Sequence, residues 1–221
     1  MDGMLSLTAN LSAAPDDCWI QVFRQRGVWC LTRGIIDRWV ARNAVFFDML
    51  CRHVPHGGRV LELGCGPGRH AISAATLGYS VLGLDVEPSI IAQAKANARA
   101  AAPECAIAFQ TGDLFDLDAV APPNSFDAIT HGGVMEHFDS AGSIRESLHT
   151  QLHVAPVIIF DVPIDTAKNR VLFARDDIFR QLWTADEWVH DALAGLDVIE
   201  ARTDLHPDPN MTDDLVVCLY A

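Results

Sequence analysis

The sequence predicts an α/β fold in which a parallel sheet of at least five strands carries helices on both faces and is closed by a reversed strand. Three observations predict it. From residue 59 onward, short apolar runs alternate with stretches of helical periodicity, the signature of successive βαβ units. Residues 156–162 form an almost unbroken apolar run of the kind buried on both faces. The last two strands are joined by the polar loop His206-Pro207-Asp208-Pro209-Asn210. A connection this short joins antiparallel neighbours.

Taken in order, residues 15–54 read as helical, because Ile36, Trp39, Val40, Phe47, Leu50, Cys51 and Val54 recur at a 3.6-type period, with Asp16 or Asp17 as a cap for an earlier helix. Pro55-His56-Gly57-Gly58 stops that run. Strand 59–63, helix 69–77, strand 80–84, helix 89–102 and strand 106–110 follow, and then strands 127–130 and 156–162. Thr184 with Glu187 three residues later is a capping box, and the helix it starts ends near Gly195. Strands 196–203 and 215–220 complete the chain. There is no internal repeat, low-complexity tract or linker. The simplest partition is a helical N-terminal extension or lid over 1–54 and a core over 55–221, one domain overall.

Half of the 221 residues are hydrophobic and a fifth are charged, enough apolar material for a sizeable core. With 16 Lys and Arg against 29 Asp and Glu, the formal charge is −13, which repels phosphate backbones and anionic lipid. Nucleic acid and membrane surfaces are therefore not expected as partners. No window of about 18 uncharged apolar residues occurs, and the amino terminus lacks the basic segment of a secretory signal, so a cytoplasmic location is expected. The six cysteines are scattered without a CxxC pair and read as reduced thiols.

The segment richest in chemistry is Val60-Leu61-Glu62-Leu63-Gly64-Cys65-Gly66-Pro67-Gly68-Arg69-His70, a strand running into a glycine-rich turn and then a helix. Glycines permit positive φ and remove the Cβ, and the helix that follows offers free N–H groups to an anionic or carboxylate group. The pattern is GxGxG with an acid two residues before it. Seventeen residues past Gly68, Asp85 ends the second strand, where doubly wound folds place the acid that binds ribose hydroxyls. A dinucleotide-dependent oxidoreductase is disfavoured by Arg69, which stands where the third glycine of GxGxxG belongs.

From about residue 59 to 221 the chain resembles the class I, Rossmann-like, S-adenosylmethionine-dependent methyltransferases. VLELGCGPGRHA looks like their first motif, VLGLDVEPSII their second and Gly112-Asp113-Leu114 their adenine-contacting turn. SFDAITHGGVMEHF resembles their fourth strand and active-site loop, QLHVAPVIIFDVP their fifth strand and LWTADEWVHDALAGLDVIEA their last helix and sixth strand. The resemblance implies a seven-stranded sheet of order 3-2-1-4-5-7-6 with strand 7 antiparallel. It also implies that Glu62, Gly64 and Gly66 shape the pocket for the methionine part and ribose, with Cys65, Gly68, Val86, Gly112 and Gly132 completing the cofactor site. Asp85 would accept both ribose hydroxyls, Asp113 would accept from the adenine amino group, and the Leu114 N–H would face a ring nitrogen. Taken singly, Asp113 also reads as a helix cap and Asp85 as a solvated strand end. Cys65 has no activating partner in the sequence and reads as a small filler between glycines.

Methyl transfer to a hydroxyl needs a positioned base, whereas an amine bound neutral does not. His131, Glu136 and His137 are the catalytic candidates, with Asp161 and Asp165 at the same sheet edge. His149 and His153 stand four apart on a helix, but no third ligand accompanies them, and Asp208, Asp213 and Asp214 read as a solvated turn, so no metal is expected. Trp19, Phe23, Trp29, Trp39, Phe46 and Phe47, and later Phe173, Phe179 and Trp183, are either pocket walls or packing residues. Arg24, Arg26, Arg33, Arg38 and Arg42 are either carboxylate binders or solvated helix faces. The expected activity is methylation of a small-molecule acceptor at N, O or C, releasing S-adenosylhomocysteine, by a monomer or homodimer. The alternative is a non-catalytic S-adenosylmethionine-binding subunit that scaffolds a partner.

Overall fold

Val60, Leu61 and Leu63 are apolar on both sides of β1 (Arg59–Leu63) and all wholly buried, so this strand is stable only in the middle of a sheet. It lies there, between β2 (Ser80–Asp85) and β4 (Ala128–Gly132), both parallel to it. The structure, a computed structural model, describes residues 18–174, 178 and 180–221. β3 (Ile107–Thr111), β5 (Val157–Pro163), β6 (Asp197–Asp204) and β7 (Asp214–Tyr220) complete one sheet of order β3-β2-β1-β4-β5-β7-β6. β7 runs antiparallel to both β5 and β6, so the order and the reversed strand are those expected from the sequence. β6 is an edge strand, half exposed and bulged between Val198 and Glu200, which interrupts the ladder it would otherwise present.

One face of the sheet is covered by α2 (Arg33–Arg42), α3 (Ala44–His53), α4 (Arg69–Thr76) and α5 (Pro88–Ala101). The other is covered by α6 (Ala141–Val154) and by the segment that follows α7 (Ala167–Phe173). Ile36, Phe46, Phe47 and Leu50 share one buried cluster with Val60 of β1 and Ile159 of β5, so the N-terminal helices form a wall of the core. Phe46 and Phe47 are thus packing residues. The stretch expected to be helical before residue 54 is three helices. α1 (Cys18–Gln25) ends before Gly27, whose φ is 67°, and Asn43 separates α2 from α3 by turning both its backbone N–H and its side-chain amide onto the Trp39 carbonyl. The cap suggested at Asp16 or Asp17 lies outside the described residues.

Polar ties hold the loops to this frame. Asn97, buried on α5, donates to the Trp29 and Pro67 carbonyls at 2.9 and 2.8 Å and accepts from the Leu31 N–H, fixing the α1–α2 connection to the turn after β1. Arg52 and His53 hold Glu200 at 2.7 and 2.9 Å, pushing its carboxyl down to about 2 and joining α3 to the edge strand. Asn169 bonds the Ile164 and Asp213 carbonyls and accepts from the Asp213 N–H, clamping the exit of β5 to the loop before β7. The capping box at Thr184 and Glu187 is present in α8 (Ala185–Glu187). The helix then widens into a π turn over Trp188–Ala192, around the fully buried Trp188, where regular α-helix was expected.

Among the described residues no helix is long and apolar enough to cross a membrane, and no group of three or more His, Cys, Asp or Glu is placed to hold a metal ion. His153 turns its ring onto the His149 carbonyl at 2.8 Å, and Asp213 is taken by Lys168 and Thr166. Leu61→Ala, which empties a fully buried site at the sheet centre, is expected to lower stability by about 3 kcal/mol in urea unfolding, with the slope against denaturant unchanged.

Candidate active site

The turn after β1 is built by its three glycines. Gly64, Gly66 and Gly68 have φ of 60°, 53° and 94°. A Cβ at Gly64 would meet Val134 at 2.9 Å, one at Gly66 would meet Phe23 at 2.9 Å and one at Gly68 would meet Phe109 at 2.9 Å. Both conformation and space demand glycine here. The Gly66 N–H donates to one oxygen of Asp85 at 3.0 Å and the Glu87 N–H to the other at 3.1 Å, so this carboxylate orders the turn while standing at the end of β2. Burial raises the Asp85 carboxyl above its ordinary range and these N–H groups oppose the rise. Cys65 is buried under the turn; burial pushes its thiol well up, which suits the filler role.

Beside Asp85 lie surfaces that a flat, hydrogen-bonding ligand would cover. Val86 is 68% exposed and Phe115 is 41% exposed, both unusual for apolar residues next to a cleft. Between them the exposed Asp113 accepts the Phe115 N–H at 2.9 Å through one oxygen, a local turn rather than a helix cap, and the structure assigns no partner to the other. Gly112 is held by the Asp85 carbonyl at 3.0 Å, and Leu114 packs on the core behind them. The donor and acceptor set fits an adenosine. The carboxylates of Asp85 and Asp113, the α4 N-terminus with its free N–H groups, and the exposed Val86 and Phe115 all stand at the carboxyl ends of β1, β2 and β3.

A second group of side chains gathers at the carboxyl ends of β4 and β5 and the start of β7. Glu62 is buried and hydrogen-bonded by the Thr130 hydroxyl; burial raises its carboxyl, and the His70 ring opposes this. His70 stands 3.6 Å from Asp161 and fills the space a Cβ would need at Gly132, at 2.5 Å. Asp161 accepts the Gly133 N–H at 3.0 Å, and Glu136 lies 3.3 Å from where a Gly133 Cβ would be. His137 is 3.6 Å from Glu136 and meets the Trp19 ring edge-on at 5.0 Å. With Phe23 on Gly66, Trp19 sets α1 across the opening.

His131 is not brought to this site. Its ring is wholly buried on the opposite face of β4, stacked on Phe160 at 5.0 Å with Gln151 of α6 nearby, because successive strand residues alternate between faces and Thr130 and Gly132 take the other. Burial pushes its pKa down to about 4, so it is a neutral core residue and is removed from the catalytic candidates. Asp165 is exposed to Arg170 rather than to the site. Of the N-terminal arginines, Arg33 pairs with Asp37 and Arg42 with Asp208, the solvated alternative. Phe173 stacks under Arg180 and Trp183 against Trp188, while Phe179 lies outside the described residues. Arg69 and His70, unassigned from sequence, turn out to border the site; nothing in their spacing marked them, since the helices that aim them are remote in sequence.

Glu136 carries an uneven electrostatic load. Burial raises its carboxyl to about 8, the charge of Asp161 adds to this and Arg180 opposes it; Asp214 is likewise raised to about 8 by burial and by Asp161. A carboxyl whose pKa is raised on folding stabilises the protein fully below its unfolded pKa, and that contribution is lost as pH rises through the folded value. Wild-type stability is therefore expected to fall between about pH 4.5 and pH 8, and Glu136→Gln to flatten that fall and exceed wild type at pH 9, as measured by urea unfolding across the range.

The fold is a doubly wound sheet closed by a reversed strand, with the glycine turn and its two carboxylates at the carboxyl ends of β1, β2 and β3. The profile of the methyltransferase domain family matches residues 60–152. The chain is 35% identical to the ribosomal protein L11 methyltransferase of Thermus thermophilus over a region covering 38% of this chain and 39% of that protein. It is 32% identical to the ubiquinone biosynthesis O-methyltransferase of Xanthomonas campestris pv. campestris, covering 44% and 40% respectively. The chain thus spans about two fifths of the length of these relatives. The magnesium protoporphyrin IX methyltransferase of Synechocystis PCC 6803, solved with bound S-adenosylhomocysteine, superposes with a TM-score of 0.62 over 93% of this chain and 94% of that one at 16% identity. Over residues 60–152 the chain is thus similar to the methyltransferase domain family, and it shares the fold of a solved methyltransferase.

Proposed function

We propose that this protein transfers a methyl group from S-adenosylmethionine to a small-molecule acceptor and releases S-adenosylhomocysteine. The observation that carries the reading is the β1–α4 turn, with three glycines at positive φ locked to Asp85, facing the uncovered Val86, Asp113 and Phe115. Bound there, S-adenosylmethionine supplies a methyl made electrophilic by its sulfonium. Asp85 accepts from the ribose hydroxyls, Asp113 from the adenine amino group, and Gly64 and Gly66 let the backbone approach the methionine part. The acceptor lies over the ends of β4 and β5, with Glu136 or His137 as the base when a hydroxyl or carbon acid must lose a proton.

Residues 18–25 act as a lid: Phe23 seated on Gly66 and Trp19 on His137 support this, since both must shift for ligands to enter. The charge of −13 favours a small acceptor over nucleic acid, and a cytoplasmic monomer or homodimer agrees with the same surface. The test is a thermal shift followed by labelled methyl transfer into small-molecule extract. S-adenosylhomocysteine is expected to raise the melting temperature and NAD to leave it unchanged. Asp85→Ala is expected to weaken S-adenosylhomocysteine about tenfold or more. A shift with NAD alone, or label appearing only in protein or RNA, would sink the reading.

A further inference from the structure

We propose that the acceptor is an amine, recognised by the carboxylates of Glu136, Asp161 and Asp214. The inference rests on the methyltransferase reading and names its substrate class. The three acids come from three places in the chain, the turn after β4, the end of β5 and the start of β7, and meet at the sheet edge where open α/β folds bind ligands. Asp161 pairs with Val216 across the antiparallel β5–β7 ladder and Pro163 with Asp214, so Asp161 and Asp214 project from the same face. Gly133 stands between Asp161 and Glu136, its N–H on the first at 3.0 Å and its missing Cβ 3.3 Å from the second.

Positive charge reaches the cluster from Arg69, which acts on Asp161 and Asp214, and from Arg180, which acts on Glu136, but buried atoms within it lack hydrogen-bond partners among the described residues. Glu136 is only 4% exposed, yet among the described residues one of its carboxylate oxygens has no hydrogen-bond partner, nor has the buried Nε2 of His70, 3.6 Å from Asp161. Asp214 receives one bond, from the Thr212 hydroxyl at 2.8 Å. The buried Arg69 guanidinium stands over the Trp39 ring at 3.3 Å and acts on Asp161 and Asp214 through its charge. A buried acid left without a partner is costly, and an amine bearing two or three N–H donors supplies the hydrogen bonds that are missing. A carboxylate ligand would bring further acceptors and no N–H donor to this edge, and a neutral alcohol would bring one donor for three acids.

The same residues suit the reaction of an amine. An ammonium must shed a proton before its lone pair can act. In the transfer the nitrogen lone pair forms the new C–N bond, the electron pair of the broken C–S bond stays on sulfur, and the proton leaving nitrogen goes to Glu136. Its raised proton affinity matches an amine better than an ordinary carboxylate does.

The experiment is labelled methyl transfer from S-adenosylmethionine into metabolite extract, split into an untreated portion, one with its amines acetylated and one with its carboxylates esterified. Incorporation is expected to survive esterification and to fall about tenfold or more on acetylation, with the product an N-methylamine. Asp214→Asn, which keeps the size of the side chain, is expected to raise the KM for the labelled acceptor about thirtyfold while S-adenosylhomocysteine binds as in wild type. Label that survives acetylation, or none in untreated extract although S-adenosylhomocysteine binds, overturns the amine assignment and leaves the cofactor reading standing. Equal weakening of S-adenosylhomocysteine by Asp214→Asn assigns the acids to the cofactor's own ammonium and overturns it as well. Failure of S-adenosylhomocysteine to bind at all removes both.

Discussion

The hydrogen bond from the Gly66 N–H to Asp85 is the constraint on which the site depends. It joins the exits of the neighbouring strands β1 and β2, and holds a backbone turn that only glycine can follow without strain. Everything around the turn is fitted to it. Asn97 of α5 takes the Pro67 carbonyl, Phe109 of β3 closes under Gly68, Val134 lies over Gly64 and Phe23 of α1 over Gly66. One short loop therefore positions helices and strands from nearly the whole chain, and the crevice it leaves is shaped by absent side chains as much as by present ones.

Next to this turn the protein keeps an unusual amount of charge out of water. Glu62, Glu136, Asp161 and Asp214 sit at one sheet edge, and burial raises three of them, Glu62, Glu136 and Asp214. Such an arrangement costs stability, because each ionised carboxylate loses solvation that its neighbours cannot replace. The fold tolerates it because the apolar clusters on the two faces of the sheet are continuous and large, and because polar ties such as Asn169 and the Arg52–Glu200 pair fix the surrounding loops. Stability given up at a cleft in this way is the usual mark of a binding site.

The strand and helix sequence was legible because each element carries a local signal. Apolar runs marked β1, β2 and β5, and the pair Thr184 and Glu187 marked α8. The glycine turn and its acids were legible for the same reason, since GxGxG and the strand-ending Asp85 are contiguous patterns with fixed spacing. What escaped was the outcome of packing. His131 and His137 look alike in the sequence, six residues apart beside the same strand, yet strand alternation buries one against Phe160 and leaves the other beneath Trp19. The break at Asn43 and the π turn at Trp188 were hidden too: the first is held by the Trp39 carbonyl four residues back, and the second forms around a fully buried ring.

The sequence by itself determined the fold class, the strand that turns back and the glycine turn with its strand-ending acid, all of which follow from periodicity, loop length and glycine spacing within short windows. Only the tertiary structure decided which polar residues gather at the ends of β4 and β5. Arg69, His70, Asp161 and Asp214 are separated by up to 145 residues and meet through sheet register and helix packing. Charge and hydrogen bonding act across space, and no local pattern in the chain encodes where a remote carboxylate will lie.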